Sequence, residues 1–133
     1  MIKLRIAIII TGIFAYSGLL CQNIAPFDTL SPDSAIQYYN SILNRKGSSS
    51  YAYFGLASAY FQKNNFKAVL KYSKKNLKDK NDFQSQSYLL HASALDRLGR
   101  IDQAINEYER AVKIFPNDYL LWYEYAMSCY KYR

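Results

Sequence analysis

The chain is poor in the residues from which most catalytic and metal sites are built. Its 133 residues include two cysteines and a single histidine, His91. It has no glycine-rich phosphate loop and no cluster of Cys and His at metal-ligand spacing. Glu107 and Glu109 are two residues apart, so on a helix they point to different faces and form no catalytic pair. The sequence therefore predicts a protein that is not an enzyme and uses no metal or cofactor, with His91 as a core histidine.

The two cysteines do not form a disulfide framework. Cys21 lies at the edge of the N-terminal segment and Cys129 lies in the last predicted helix, so a bond between them would close most of the chain into one loop. Stability must come from apolar side chains, which are plentiful: 50% of the residues are hydrophobic and 17% are aromatic. This composition predicts one folded domain with a buried core.

Charge is absent from one apolar stretch near the N-terminus. Residues 6–20 carry no charged side chain, and they follow Lys3 and Arg5. The run is shorter than the roughly 20 residues that a membrane-spanning helix needs, and it is typical of the core of a signal peptide. We therefore expect residues 1–20 to be a signal peptide or membrane anchor, and residues 21–30 to be a linker.

Three fates of this leader remain open. Residues 15–17, Ala-Tyr-Ser, place small side chains where a signal peptidase needs them, which predicts cleavage after Ser17. Residues 18–21 resemble a bacterial lipoprotein signal in which Cys21 is lipidated, although Leu20 stands where Gly, Ala or Ser is usual. The third fate is an uncleaved membrane anchor. Each of them places the protein in the periplasm, in the cell envelope or outside the cell.

The remaining sequence is divided into helices by local signals. Ser31 followed by Pro32 predicts a helix start, because serine caps the first N–H groups and proline lacks one. The apolar spacing continues this helix over residues 32–44. The run Gly-Ser-Ser-Ser at 47–50 predicts a break and the cap of the next helix. Residues 116–118, Pro-Asn-Asp, predict the end of one helix and the cap of another.

Aromatic, small and proline residues recur along these helices at a fixed spacing. The spacing is clearest over residues 88–116, where Tyr88 and Ala92 precede a turn at Gly99, and Tyr108 and Pro116 follow it. The pattern resembles the tetratricopeptide repeat, a helix-turn-helix unit of about 34 residues. A weaker copy covers residues 53–81. It departs from the pattern at three positions, which are Val69, Ser73 and Asn81.

The resemblance implies an all-α fold over residues 31–133: a right-handed superhelical array of antiparallel helix pairs. The array would contain a capping helix, two full repeats and one half repeat. Small side chains allow helices to approach closely, and those expected at the helix crossings are Ala57, Ala92, Ala104 and Ala111. The alternative is an ordinary bundle of similar amphipathic helices.

In such repeats the first helix of each pair lines a concave groove that binds a peptide or a helix of a protein partner. Carried over to this sequence, the groove residues are Tyr51, Phe54, Ser58, Phe61, Gln62, Leu89, Arg97, Tyr123, Met127 and Tyr130. Some family members hold a terminal carboxylate with Lys and Asn, but Phe54 and Ser58 stand at such places here. The resemblance thus implies an adaptor with an aromatic groove. Packing of these aromatics between repeats is the alternative.

Five lysines share one face of a predicted second helix, on the convex side of the array. They are Lys67, Lys71, Lys74, Lys75 and Lys78. A solvated face is the plain interpretation, and an anionic membrane surface or an acidic partner is the alternative. The net charge of +7 does not by itself identify a partner, and nucleic acid is not expected for an exported chain.

The last predicted helix has an apolar face with no helix after it to cover it. Trp122, Tyr125 and Cys129 lie on that face, and the sequence ends at Arg133. We expect a homo-oligomer formed through Trp122 and Tyr125, a helix donated by a partner, or a bend of the last helix onto its neighbour. Self-association within an envelope assembly is accordingly the second functional hypothesis.

Overall fold

A computed structural model describes residues 30–132, which form six α-helices and no strand. The helices are α1 (Pro32–Lys46), α2 (Ser50–Gln62), α3 (Phe66–Asn76), α4 (Gln84–Arg97), α5 (Ile101–Ile114) and α6 (Tyr119–Lys131). Each helix packs against the next one, and α4 also contacts both α2 and α6. The predicted all-α class and the helical-repeat arrangement are confirmed.

Four helices begin at the side-chain caps that the sequence predicts or allows. The hydroxyl of Ser31 accepts a hydrogen bond from the N–H of Ser34, and Pro32 occupies the first turn. Ser49 caps α2 and Asn65 caps α3 in the same manner. Asp118 caps α6 by accepting from the N–H groups of residues 120 and 121. Local chemistry of this kind satisfies N–H groups that a helix cannot pair internally.

The turn inside the second full repeat depends on Gly99. Its φ of 74° lies in the left-handed region, where a β-carbon would be strained. The N–H of Arg100 then bonds the carbonyl of Leu95 at 2.9 Å, which closes the end of α4. The corresponding turn of the first full repeat uses Asn64, with a φ of 56°. Asparagine tolerates this conformation better than other residues with side chains.

The core follows the repeat register. All four alanines that were expected at helix crossings are fully buried, and Val69 is also 0% exposed. Three apolar clusters lie in sequence along the array: one around Tyr39 between α1 and α2, one around Val69 between α2, α3 and α4, and one around Tyr108 between α4, α5 and α6. Each pair of neighbouring helices therefore contributes to a continuous core.

Asn81 stands where the repeat pattern prefers proline, and its side chain stabilises the connection by hydrogen bonds. Its side-chain amide donates to the carbonyls of Asn76 and Asp79 at 2.8 Å, and its side-chain oxygen accepts from the N–H of Phe83 at 2.9 Å. These bonds fix the connection between α3 and α4. Asn76 is itself buried and donates to the hydroxyl of Ser87 at 2.6 Å.

The leader, the linker up to residue 29 and Cys21 lie outside the residues that the structure describes, as does Arg133. The predictions made for the leader stay predictions. Between residues 30 and 132, none of the helices is both long and apolar enough to cross a membrane.

Candidate functional site

The first-helix face, formed by α2, α4 and α6, carries the residues predicted to line a groove. The structure divides them by exposure. Phe54 and Leu89 are buried, at 3% and 7% exposure, whereas Tyr123, Met127 and Tyr130 are 46%, 47% and 84% exposed. Gln62 and Arg97 are also exposed, and Tyr51, Ser58 and Phe61 are partly buried. The accessible aromatic surface is therefore concentrated on α6.

The aromatic residues of α2 pack against neighbouring elements. Phe54 stacks on Phe83 with ring centroids 5.0 Å apart, and Tyr51 lies between Phe83 and Tyr39 at 5.9 Å and 5.5 Å. Phe61 contacts Phe66 across the turn between α2 and α3. Packing between repeats, the alternative that the sequence leaves open, thus describes the contacts of Tyr51 and Phe54 with Phe83, while Phe61 packs within its own repeat. Phe83 was not among the predicted residues, because it lies in a polar connection that gives no signal of burial.

Three exposed side chains form a stripe along α6, which we call the α6 stripe: Tyr123, Met127 and Tyr130. Their spacing of four and three residues places them on one side of the helix. Trp122 lies beside the stripe and is 46% exposed, and its indole N–H donates to the carbonyl of Pro116 at 2.9 Å. The stripe therefore presents large apolar side chains on a regular helix.

Charged groups border the α6 stripe where the end of α4 meets α6. The hydroxyl of Tyr132 donates to Asp96 at 2.6 Å, and the ammonium group of Lys131 lies 3.6 Å from the same carboxylate. Burial raises the pKa of Glu124, the nearby charge of Asp96 raises it further, and Arg97 opposes both effects. These contacts join the end of α4 to α6. The side chain of Arg97, next to Asp96, remains exposed.

His91 has a definite tautomer. The hydroxyl of Ser73 donates to the carbonyl of Val69 at 2.7 Å, and the same oxygen lies 2.8 Å from Nδ1 of His91. Because a hydroxyl has one proton, Ser73 must accept from His91, so the neutral ring carries its proton on Nδ1. Burial, together with the positive charges of Lys74 and Arg100, lowers the pKa of His91 to about 4. Nε2 is thus unprotonated at neutral pH.

The five predicted lysines of the basic face are all exposed. Three of them line a recess of about 520 Å³ between α3 and α5, which we call the basic recess. Its principal lining residues are Lys67, Lys71 and Lys74 of α3, Arg100 before α5, and His91 and Leu95 of α4. Lys75 does not line the recess and lies over the rings of Tyr53 and Tyr72, while the ammonium group of Lys71 lies 5.2 Å from the centre of the Tyr72 ring. The contribution of Arg100 was missed, because no local pattern links it to lysines in an earlier helix.

Metal-ligating residues are dispersed over the part of the chain that the structure describes. Within it, no group of three or more His, Cys, Asp or Glu side chains is placed to hold a metal ion. Cys129 is a partly buried free thiol.

A model of a known protein family matches part of the array. Residues 85–128 match the model described as tetratricopeptide repeat, and this range extends from the start of α4 into α6. Such repeats are modules that bind protein partners, and they are generally non-catalytic scaffolds. No curated protein matches the chain.

Proposed function

We propose that this chain is an exported, non-catalytic adaptor that binds a peptide or a helix of a partner protein through the first-helix face. The observation that carries the proposal is the α6 stripe, where Tyr123, Met127 and Tyr130 are each about half exposed or more. Aromatic and methionine side chains are enriched at protein interfaces, because they bring large contact area at a small loss of side-chain entropy.

The surroundings of the stripe define the kind of partner. A rigid helix presents the apolar side chains, and Arg97 provides an exposed hydrogen-bond donor at their edge. An amphipathic partner helix or an extended peptide with apolar side chains and a nearby carboxylate fits this combination. The partly buried Tyr51, Ser58 and Phe61 continue the same face toward α2.

Photo-crosslinking tests this function. A photoreactive amino acid at Tyr130 should crosslink a protein from an envelope extract, and one at Lys113, exposed on α5, should not. Tyr123→Ser with Met127→Ser should abolish the crosslink from position 130 at unchanged helicity. Equal crosslinking from positions 113 and 130 would argue against the first-helix face as the binding site.

The export part of the proposal depends on Lys3, Arg5 and the uncharged residues 6–20. Periplasmic, envelope-anchored and secreted locations all follow from a leader of this type. Intact-mass measurement of the protein from its native source separates the three fates. Loss of residues 1–17 supports cleavage after Ser17, and a diacylglycerol mass on Cys21 supports a lipid anchor. A full-length mass with Met1 retained supports an uncleaved membrane anchor.

A structural subunit that self-associates is the second candidate function. The exposure of Trp122 and Tyr119, at 46% and 70%, favours it, since these side chains extend the apolar surface of α6 beyond the stripe. Tyr125 is partly buried and packs against the core between α4, α5 and α6. A self-association surface would therefore be centred on Trp122, with Tyr125 behind it.

A further inference from the structure

The basic recess lies on the second-helix side of the array, between α3 and α5, and the α6 stripe is no part of it. Three lysines form one wall, and Arg100 with the start of α5 forms the other. The floor is apolar at Leu70 and Leu95, with His91 beside them. A concave site with an apolar floor and a few converging polar groups has the general form of a binding site.

The positive charge of the recess is not neutralised from within. Among the residues that the structure describes, none forms an ion pair with Lys67, Lys71 or Lys74. The guanidinium group of Arg100 donates to the side-chain oxygen of Gln103, which is neutral. Glu107 is the one acidic side chain among the described lining residues. Four cations therefore face one carboxylate, and an added anion would meet an uncompensated positive field.

The arrangement of the charges restricts the kind of anion. Lys67 and Lys74 are seven residues apart on α3, a separation of about 10 Å along the helix axis. A single phosphate group is much smaller than this separation, whereas carboxylates about three residues apart on an extended peptide match it. A flat bilayer surface does not enter a recess. The lining residues include no Tyr, Phe or Trp on which a nucleic-acid base would stack.

We propose that the basic recess binds an acidic segment of a partner protein, with two or more carboxylates facing Lys67, Lys71, Lys74 and Arg100. The floor at Leu70 and Leu95 then accommodates an apolar side chain between the acidic ones. Gln103 and Asn106 line the α5 wall and supply amide groups for the peptide backbone. This site is separate from the α6 stripe, and the proposal does not depend on binding there.

His91 reports occupation of the recess. It is the only histidine in the chain, so its NMR ring signals need no assignment. The charged groups around the recess are Lys67, Lys71 and Lys74 on α3, Arg100 before α5, and Glu107 on α5. Carboxylates placed among these cations stabilise the protonated ring, so a bound acidic peptide raises the pKa of His91 above its value in the free protein.

The test measures binding of a fluorescein-labelled oligo-glutamate peptide to the full-length protein by fluorescence anisotropy, with an oligo-glutamine peptide as the uncharged control. Lys67→Glu with Lys71→Glu should weaken binding about tenfold or more. Lys78→Glu with Lys80→Glu changes the net charge equally outside the recess, and it should change binding by less than about threefold. Equal losses for the two pairs, or no binding by the wild type, would overturn the proposal.

A variant that binds the peptide more tightly provides an independent test, because misfolding would weaken binding. Glu107→Gln removes the carboxylate from the recess and should tighten binding of the oligo-glutamate peptide by about threefold. Glu109→Gln makes the same charge change on α5 at a residue that pairs with Lys113 outside the recess, and it should leave the affinity unchanged. An equal gain from both variants would show that binding follows net charge alone, and it would refute the site.

Two further measurements distinguish a protein carboxylate from a free phosphate or a lipid headgroup as the bound anion. Inorganic phosphate and vesicles containing phosphatidylserine should compete with the peptide poorly, and neither should raise the pKa of His91. The oligo-glutamate peptide should raise that pKa measurably in the same NMR titration. If the vesicles displace the peptide or shift His91 as strongly as the peptide does, the recess is a lipid or general anion site and the proposal is wrong.

Discussion

The ring of Tyr39 lies directly over Gly55, in the space that a β-carbon at position 55 would occupy. Tyr39 belongs to α1 and is 3% exposed, and Gly55 is buried in the middle of α2. The missing side chain lets the two helices approach closely enough for the ring to fill the gap between them. Burial raises the pKa of Tyr39, and the neighbouring Tyr51 raises it further, as expected for an enclosed phenol.

Gly55→Ala should destabilise the protein, because the added methyl group overlaps the ring of Tyr39. Overpacking of this kind costs about 1 to 3 kcal/mol. In a Tyr39→Leu background the same change should stabilise by up to about 1 kcal/mol, since leucine lacks the outer ring atoms and alanine is the better helix former. Urea denaturation measures both effects. A penalty of the same size in the two backgrounds would contradict the packing of Tyr39 on Gly55.

Ala104→Leu should loosen the second full repeat. Ala104 is fully buried in α5, so a larger side chain has no space, and the expected loss is about 1 to 3 kcal/mol of unfolding free energy. Gln103→Leu is the control, because the neighbouring Gln103 is exposed. Denaturation midpoints of the two variants are compared. Equal midpoints would mean that the register of α5 against its neighbours is wrong.

The caps, the turns and the small-residue register could be predicted because they depend on local chemistry. Ser31, Ser49 and Asp118 cap helices through residues two or three positions away, so the sequence contains the whole interaction. Gly99 is a similar case. Two helix ends differed. α1 continues to Lys46, two residues beyond the predicted end, and α3 ends at Asn76, so Lys78 lies in the turn after the helix on which it was predicted.

The sites could be predicted only in part, because they depend on contacts between distant elements. The sequence identified Lys67, Lys71 and Lys74 as one helix face, but the basic recess also needs Arg100, which comes near them only after α3 and α5 both pack against α4. The stacking of Phe54 on Phe83 likewise requires the α3–α4 connection to fold back over α2. Helical periodicity describes one helix at a time and has no information on either contact.

Lowering the pH should destabilise the protein through His91. Its pKa falls from 6.5 to about 4 on folding, so the unfolded chain binds the proton more readily between these values. The stability contributed by neutral His91 is present above pH 6.5 and is lost as the pH falls toward 4. The expected loss is about 1 to 2 kcal/mol, less than the full shift implies, because the ring is partly exposed.

His91→Gln provides the control for this pH dependence, since glutamine does not titrate and retains a side-chain N–H for Ser73. Urea midpoints of the wild type and the variant are measured across the same pH range. The wild-type midpoint should fall relative to that of the variant as the pH is lowered from 6.5 toward 4. Parallel curves for the two proteins would show that His91 has the same pKa in the folded and unfolded chains.

Trp122 allows self-association to be detected directly, because it is the only tryptophan in the chain and is 46% exposed. If two copies meet through this residue, its emission should shift to shorter wavelength as the protein concentration rises, and the sedimenting mass should increase in parallel. Trp122→Ala should then give a monomer at unchanged helicity. Tyr130→Ala removes an even more exposed aromatic from another side of α6 and should leave the mass unchanged. A wild type that sediments as a monomer, with emission independent of concentration, would exclude self-association through Trp122 and leave the adaptor function as the better account of the exposed α6 surface.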